Sequence, residues 1–351
     1  MRILILSAYN AMSHDSLNKG LIRHLPEAEF KVLALPPRYF AWRTRGNSLS
    51  FAFENRAELT ERYDAVFATS LTDVTALRGF VPELAGIPLA VYFHENQFAY
   101  PDNSSAHGIL ETKIVSLYNA LAADRIAFNT AYNMHTFLDG AEKLLKKMPD
   151  HVPAGLIEMI RKKSRVINVP VEPGRRSAGK DRPVILWNHR WEYDKGPDRF
   201  LEVLRELDRR GFDFGLHLAG QVFRNVPQAF EDIRNAFSDR ILSYGFAESR
   251  AEYEKILADS NIAISTSLHD FQGLSVIEAA DAGCIPVLPD RLAYPELFPA
   301  ENLYCGSEDV LTEARSCADA VVRLWHDKRE CSMERFYWEN LKKNYLELLT
   351  F

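Results

Sequence analysis

Short runs of consecutive apolar residues recur along the chain, separated by segments whose apolar positions return at helical spacing. In the first half these runs are 2–8, 30–35, 64–70, 87–94, 124–130 and 166–171. In the second half they are 183–190, 213–220, 240–245, 261–267 and 284–290. Apolar residues follow one another rather than alternate, as in strands of a parallel sheet covered on both faces. Helices predicted around 16–24 and over 108–122, 197–210, 227–237, 249–258 and 273–282 provide the crossovers that parallel strands require. The tail 332–350 is amphipathic, with Phe336, Leu341, Tyr345 and Leu348 near helical spacing. The alternation breaks at 172–183, a stretch of Pro, Gly and charge that reads as an interdomain linker. The expectation is an α/β chain of two doubly wound parallel-sheet domains, 1–174 and 183–330. Residues 331–351 form a helix expected to pack back toward the first domain, and a cleft is expected between the domains.

The chain has 351 residues, 47% of them hydrophobic and 26% charged, enough for each domain to bury its own core. The N-terminus leads directly into a strand pattern, and no run approaches the length of a membrane span. Cys284, Cys305, Cys317 and Cys331 form no CxxC pair and read as free thiols, so a cytoplasmic location is expected. The net charge of −6 argues against a general nucleic-acid binder. Residues 142–182 nevertheless hold eleven Lys/Arg against five acids, either a solvated helix face or a patch for a polyanion.

Ligands of doubly wound sheets sit beyond the C-terminal ends of the strands, and polar clusters follow the strands here. After 183–187 comes WNHRWEYDKGP, which opens a helix. Arg190 and Lys195 would face a diphosphate there, as a planar fork and a point charge beside a helix N-terminus, with Asn188 a further donor-binding candidate. After 261–267 comes His269-Asp270-Phe271-Gln272-Gly273-Leu274, and Glu278 follows in the next helix, with seven residues between the two carboxylates. A carboxylate at Glu278 can accept both hydroxyls of a ribose, and Gly273 lets backbone approach a phosphate. A third cluster, FHENQFAYP at 93–101, places His94, Glu95, Asn96 and Gln97 after a strand of the first domain. No acidic motif suited to a metal stands out in a fitting loop. No GxGxxG follows the first strand, which argues against a dinucleotide dehydrogenase.

The run from Asp270 through Glu278 and on to AADAGCIPV (279–287) resembles the donor-site signature of glycosyltransferase family 4, with Asp270 where that family has Glu. The resemblance implies a retaining GT-B enzyme with two Rossmann-like domains. It implies that Arg190 and Lys195 hold the donor diphosphate and that Gly220, after His217-Leu218-Ala219, lies beneath the nucleotide. Tyr244, Gly245 and Phe246 match the loop lining the base pocket. FHENQFAYP, WRTR (42–45), AFNTAYNM (127–134), MPDH (148–151), WNHRWEYDKGP and YPELFP (294–299) narrow this. Together they resemble the tRNA-queuosine mannosyltransferase family over nearly the whole chain.

That resemblance implies transfer of mannose from GDP-mannose to the queuosine base of a tRNA anticodon. The partners would be a nucleotide-sugar donor and queuosine-containing tRNA, with no metal or other cofactor. Ser13, His14, Trp42, Arg43, Arg45, Glu95, Asn96, Gln97, Asn129 and Asn133 become acceptor-side candidates. His94, Arg190, Lys195 and Asp270 are the catalytic ones. Trp42 with Arg43 and Arg45 suits stacking on an unpaired base, or equally snorkelling along a helix edge. Two alternatives remain: a GT-B transferase with a sugar or lipid acceptor, and a non-catalytic RNA-binding protein with a relict donor site.

Overall fold

The computed structural model describes residues 1–100, 109–174, 182–328 and 331–351. These fall into two compact units. One comprises Met1–Pro170 with Trp338–Phe351, and the other Val171–Tyr337. The expected linker at 172–183 and the basic stretch 142–182 both lie partly, at 175–181, outside the described residues.

The first unit contains β1 (Arg2–Ser7), α1 (Met12–His24), β2 (Glu29–Ala34), α2 (Phe40–Glu54), α3 (Arg56–Leu59) and β3 (Ala65–Thr69). It continues through α4 (Val74–Phe80), β4 (Leu89–Phe93), α5 (Ile109–Ala122), β5 (Arg125–Phe128), α6 (Ala131–Lys146), α7 (Leu156–Lys162) and β6 (Ser164–Val166). Its six strands are all parallel, in the order β2-β1-β3-β4-β5-β6. β3 and β4 are buried at every residue, which is why their sequences are continuously apolar. Their side chains join those of α2 and α6 in one core around Phe51, Phe93, Phe128 and Phe137, while Phe67 packs against Tyr92 at 6.0 Å. The strand expected at 166–171 starts two residues earlier and ends five earlier, over Ser164–Val166. Ile167 still donates to the Phe128 carbonyl, but β5 ends there, and Pro170 has no N–H with which to extend a ladder.

The second unit contains β7 (Val184–Trp187), α8 (Pro197–Arg209), β8 (Gly215–Ala219), α9 (Gln228–Ala236), β9 (Ile241–Gly245) and α10 (Arg250–Asp259). It continues through β10 (Ile262–Ile264), α11 (Leu274–Asp281), β11 (Ile285–Pro289), α12 (Tyr294–Leu297), β12 (Leu303–Tyr304) and α13 (Val310–Asp327). The order β12-β11-β10-β7-β8-β9 is again all parallel. The chain runs outward from β7 to β9 and then returns to lay β10 on the other side of β7. The sheet therefore has its topological switch point between β7 and β10. α8 buries Phe200, Leu201, Val203, Leu204 and Leu207 against the sheet, a stripe of helical period.

The C-terminal helix α14 (Trp338–Leu349) belongs to the first unit, while 331–337 stay with the second. Trp338 stacks on His24 at 4.9 Å and covers Gly20, where a Cβ would meet the indole at 2.1 Å. The Tyr345 hydroxyl donates to the Asn168 carbonyl at 3.0 Å.

Candidate active site

In the second unit the loops after β7 and β10 lie side by side because their strands do. Thr266 Oγ1 donates to the carbonyls of Lys195 and Gly196 at 3.0 and 2.9 Å and accepts from Trp187 Nε1 at 3.2 Å. The N–H groups of Leu268 and His269 donate to the Asp194 carbonyl at 2.8 and 3.1 Å. Gly196 has φ 64° and comes so close to Thr266 that a Cβ would lie 2.3 Å from its carbonyl oxygen. Glycine is needed there on both counts, and Pro197 then starts α8 at the first helical position.

These loops bring the predicted charges together. Lys195 is buried, and its Nζ donates to the His269 carbonyl at 2.6 Å and to Asp270 Oδ2 at 3.2 Å. It also lies 3.6 Å from Asp194 Oδ2, and an Arg190 guanidinium nitrogen lies 3.5 Å from the same oxygen. The two cations therefore converge on one point. Arg190 is 46% exposed and also pairs with Glu192. The other oxygen of Asp270 accepts the Gly273 N–H at 2.7 Å, immediately before α11. Burial would raise the Asp270 carboxyl, but the charges of Lys195 and His189 and the hydrogen bonds from Lys195 and Gly273 hold it at about 2. Asp270 is a catalytic candidate and Gly273 an approach to a phosphate in the sequence. Both oxygens of Asp270 and the Gly273 N–H are engaged within the chain, which makes Asp270 the partner that fixes Lys195.

The remaining donor-side candidates lie around this cradle. Glu278 pairs with Arg250 at 2.8 Å. Asn188 donates to the Tyr253 hydroxyl at 3.0 Å and to the Ser275 carbonyl at 2.7 Å, tying the loop to α11 just beyond Leu274. Gly220 donates to the Gly245 carbonyl at 3.0 Å, and a Cβ on it would lie 1.8 Å from the His189 carbonyl oxygen. Trp191 stacks flat on Phe230 at 4.0 Å and edge-on to Tyr244 at 4.7 Å. Tyr244 and Phe246 are 37% and 54% exposed, an aromatic surface beside Gly245, whose φ is 116°.

Sequence reasoning missed a buried ionic knot behind these loops. Glu313, 1% exposed, accepts from Arg291 at 2.7 and 2.8 Å, from Arg199 at 2.7 Å and from the Ser307 N–H at 2.9 Å. Arg291 also donates to the Ser267 and Thr266 carbonyls at 2.9 and 3.2 Å, which anchors the β10 loop. It missed His189 as well, although the order Trp187-Asn188-His189-Arg190 placed an imidazole at the strand end.

In the first unit His94 follows β4, buried, with its ring stacked on His14 at 4.0 Å. Burial and the neighbouring His14 hold the His94 imidazole well below its usual range. Burial does the same to His14 more weakly, against the pull of Glu95. Among the described residues His94 Nε2, His14 Nδ1 and Gln97 Nε2 are buried without a hydrogen-bond partner. Asn96, Asn129 and Asn133, expected to touch an acceptor, are used differently. Asn129 donates to the His94 carbonyl at 2.8 Å, and Asn133 to the Phe93 carbonyl at 2.9 Å and to Asn129 Oδ1 at 2.7 Å. Asn96 donates to Asn133 Oδ1 at 2.8 Å and accepts the Phe98 N–H at 2.9 Å. This ladder of amides fixes the shape of the His94 loop. Glu95 accepts the Tyr100 hydroxyl at 2.8 Å, and Ser13 sits half-buried in the first turn of α1 beside His14.

WRTR lies at the start of α2. Trp42 is 55% exposed, and a Cβ on Gly46 would meet its ring at 2.3 Å, so the indole lies flat along the helix with its outer face in solvent. Arg45 pairs with buried Asp73 at 3.1 Å, and Arg43 is half-buried. The basic stretch 142–182 is dispersed where it is described. Lys146 pairs with Glu142, Arg161 with Glu158, and Lys163 donates to the Leu121 and Ala123 carbonyls at 2.8 and 2.5 Å. Among the described residues no group of three or more His, Cys, Asp or Glu is arranged to hold a metal ion, and no helix is long and apolar enough to cross a membrane.

Two doubly wound parallel sheets, with paired cations at the switch point of the second, define a glycosyltransferase of the GT-B fold. Solved structures agree on the fold: sucrose-phosphate synthase from Thermosynechococcus elongatus superposes with a TM-score of 0.74 at 14% identity, covering 99% of this chain and 98% of that one. The tRNA-queuosine alpha-mannosyltransferase N-terminal family model matches residues 2–171, and the group 1 glycosyl transferase model matches 182–327. The tRNA-queuosine alpha-mannosyltransferase of Drosophila melanogaster is 32% identical over 96% of this chain and 92% of its own length. A GDP-mannose:cellobiosyl-diphosphopolyprenol alpha-mannosyltransferase of Xanthomonas campestris is 27% identical over 33% of this chain and 30% of its own. The chain belongs to the tRNA-queuosine alpha-mannosyltransferase family.

Proposed function

We propose that this chain transfers mannose, with retention of configuration, from GDP-mannose to the queuosine base of a tRNA anticodon. The observation that carries the reading is the convergence of Arg190 and Lys195 on one point at the switch of the second sheet. Family membership supports the acceptor. The similarity to a GDP-mannose-dependent enzyme of Xanthomonas supports the donor. In this reading Arg190 exchanges carboxylate contacts in its own loop for the donor diphosphate while Asp270 keeps Lys195 in place. Glu278, with Arg250 and Tyr253 around it, meets the ribose. The aromatic surface of Tyr244 and Phe246 meets the base. Neutral His94 offers a hydrogen bond on the acceptor side, and the outer face of Trp42, flanked by Arg43 and Arg45, meets an unpaired base of the RNA.

The step balances without a protein nucleophile. The acceptor hydroxyl oxygen bonds to the anomeric carbon as the bond to the diphosphate breaks. The departing phosphate oxygen takes the hydroxyl proton from the same face. The protein positions the groups and stabilises the negative charge that develops on the diphosphate, and a metal has no assigned task. A tRNA acceptor fits a cytoplasmic location.

The test is incubation with GDP-mannose and queuosine-containing tRNA, followed by nucleoside mass spectrometry. The expected product is queuosine heavier by one hexose, formed about a hundredfold more slowly with Lys195→Ala. Thermal stabilisation by GDP without any product on tRNA would keep the transferase and remove the tRNA acceptor. Product from UDP-sugars alone would remove the GDP donor.

A further inference from the structure

His189 is a buried polar side chain to which the reading above gives no task. It is 4% exposed, and its Nε2 has no hydrogen-bond partner among the described residues. A buried polar nitrogen left unpaired is costly, and folded proteins seldom keep one without a use for it. The residue is firmly held. Its ring packs edge-on against Trp187 at 5.0 Å, and its carbonyl lies against Gly220, where there is room for no Cβ.

The charged groups that act on the ring are Lys195, Asp270, Asp194 and Arg190, four of the five that form the cradle. Burial first, and then Lys195, push the imidazole down to about 4, so it is neutral near pH 7. A neutral imidazole presents one N–H and one acceptor nitrogen. That matters because the cradle holds two cations, Arg190 and Lys195, among three carboxylates, Glu192, Asp194 and Asp270. Their positive charge is already matched, so a diphosphate arriving there needs additional donors. Asn188 Oδ1, also buried without a partner, is an acceptor and has the wrong polarity for a phosphate oxygen. An Nε2–H has the right one.

We propose that His189 donates an Nε2 hydrogen bond to the diphosphate of the nucleotide-sugar donor and keeps that bond as the diphosphate departs. This rests on the location of the diphosphate given under the proposed function, but not on the identity of nucleotide, sugar or acceptor. The bond adds a donor without a third positive charge, so it orients the diphosphate while leaving product release easier than another lysine would.

Calorimetric binding of inorganic pyrophosphate, GDP and guanosine to the wild-type chain, His189→Ala and His189→Gln tests this, with unfolding temperatures as the check on folding. Pyrophosphate and GDP should bind His189→Ala roughly tenfold to a hundredfold more weakly. Guanosine affinity should not change, and the glutamine amide N–H should restore most of the loss. A folded His189→Ala that binds pyrophosphate as the wild type does overturns the proposal. If His189→Ala does not fold, the imidazole titration of the wild-type chain, followed by NMR, decides. Pyrophosphate should raise the His189 pKa, and a titration it leaves unmoved overturns the proposal. GDP binding no tighter than guanosine, with pyrophosphate binding still dependent on His189, would refute the GDP donor and leave this role standing. A wild-type chain that binds neither pyrophosphate nor GDP refutes both.

Discussion

Lys195→Ala takes an ammonium away from two carboxylates that are themselves largely out of solvent, Asp194 and Asp270, 21% and 16% exposed. In the native chain the Asp270 carboxyl is held at about 2, against an ordinary value near ~3.9. A shift of that size is on the order of 2 kcal/mol in favour of the ionised folded form. Because the folded value is the lower one, this stability is fully present above about pH 4 and is lost as the pH falls toward about 2. Without Lys195 the burial that opposes ionisation is left largely unanswered. The variant should lose about 3–5 kcal/mol at pH 7, the usual cost of stranding one member of a buried pair. The Asp270 contribution to stability should then grow on mild acidification, opposite in sign to its native contribution. Urea unfolding, followed by the emission of Trp187 and Trp191 in the same unit, measures this for the native chain, Lys195→Ala, Asp270→Asn and the double variant. The cycle should give a coupling energy of about 2 kcal/mol or more, with Asp270→Asn recovering much of the loss. A coupling below about 0.5 kcal/mol at pH 7 would refute the argument that these two groups hold each other in place. Single-turnover transfer should also fall about a hundredfold, since a cation that stabilises developing charge is lost.

Gly220→Ala should abolish nucleotide binding or folding of the second unit, because its Cβ would sit 1.8 Å from the His189 carbonyl oxygen; GDP titration and a melting curve separate the two. Gly46→Ala should lift the Trp42 indole off α2 and weaken tRNA binding as Trp42→Ala does, by about 1–3 kcal/mol per lost stacking contact, with GDP affinity intact; unchanged tRNA affinity in both variants would remove α2 from the RNA surface. The imidazoles of His14, His94 and His189 are all held down by burial, His189 to about 4. Unfolded histidines take protons below about pH 6.5 while these do not, so stability should decline as the pH falls from about 6.5 toward 4. Unfolding midpoints from pH 7.5 to 5 that stay level would contradict the burial of these rings.

Strands were legible because burial on both faces writes itself as consecutive apolar residues, and ten of the eleven expected runs coincide with strands to within a few residues. Helices were less so. α2 was not read as a helix because Phe40, Trp42 and Phe53 are exposed on it, which obscures its apolar stripe. α6 and α13 escaped because nothing in their sequences as clear as Gly196-Pro197 marks where they begin. Their caps are Thr130, accepting the Asn133 N–H, and Asp309, accepting the Thr312 N–H. At the site, Arg190, Lys195 and Asp270 stood out because each lies in a short polar loop directly after a buried strand. The roles of Asn96, Asn129 and Asn133 did not, since an amide looks the same in sequence whether it faces a ligand or a backbone carbonyl.

The sequence alone determined the α/β alternation, the cations in the loop after β7 and, through motifs spread over nearly the whole chain, the family. These are local properties, carried by runs and loops of a dozen residues or fewer. The tertiary structure decided which groups meet. Sheet order set β10 beside β7 and so Asp270 against Lys195. It tied Arg291, Glu313 and Arg199 into one knot across separations of 22 and 114 residues. It also left His189 Nε2 buried without a hydrogen-bond partner among the described residues. Pairings of that range depend on which strands become neighbours, and no periodicity along the chain encodes them.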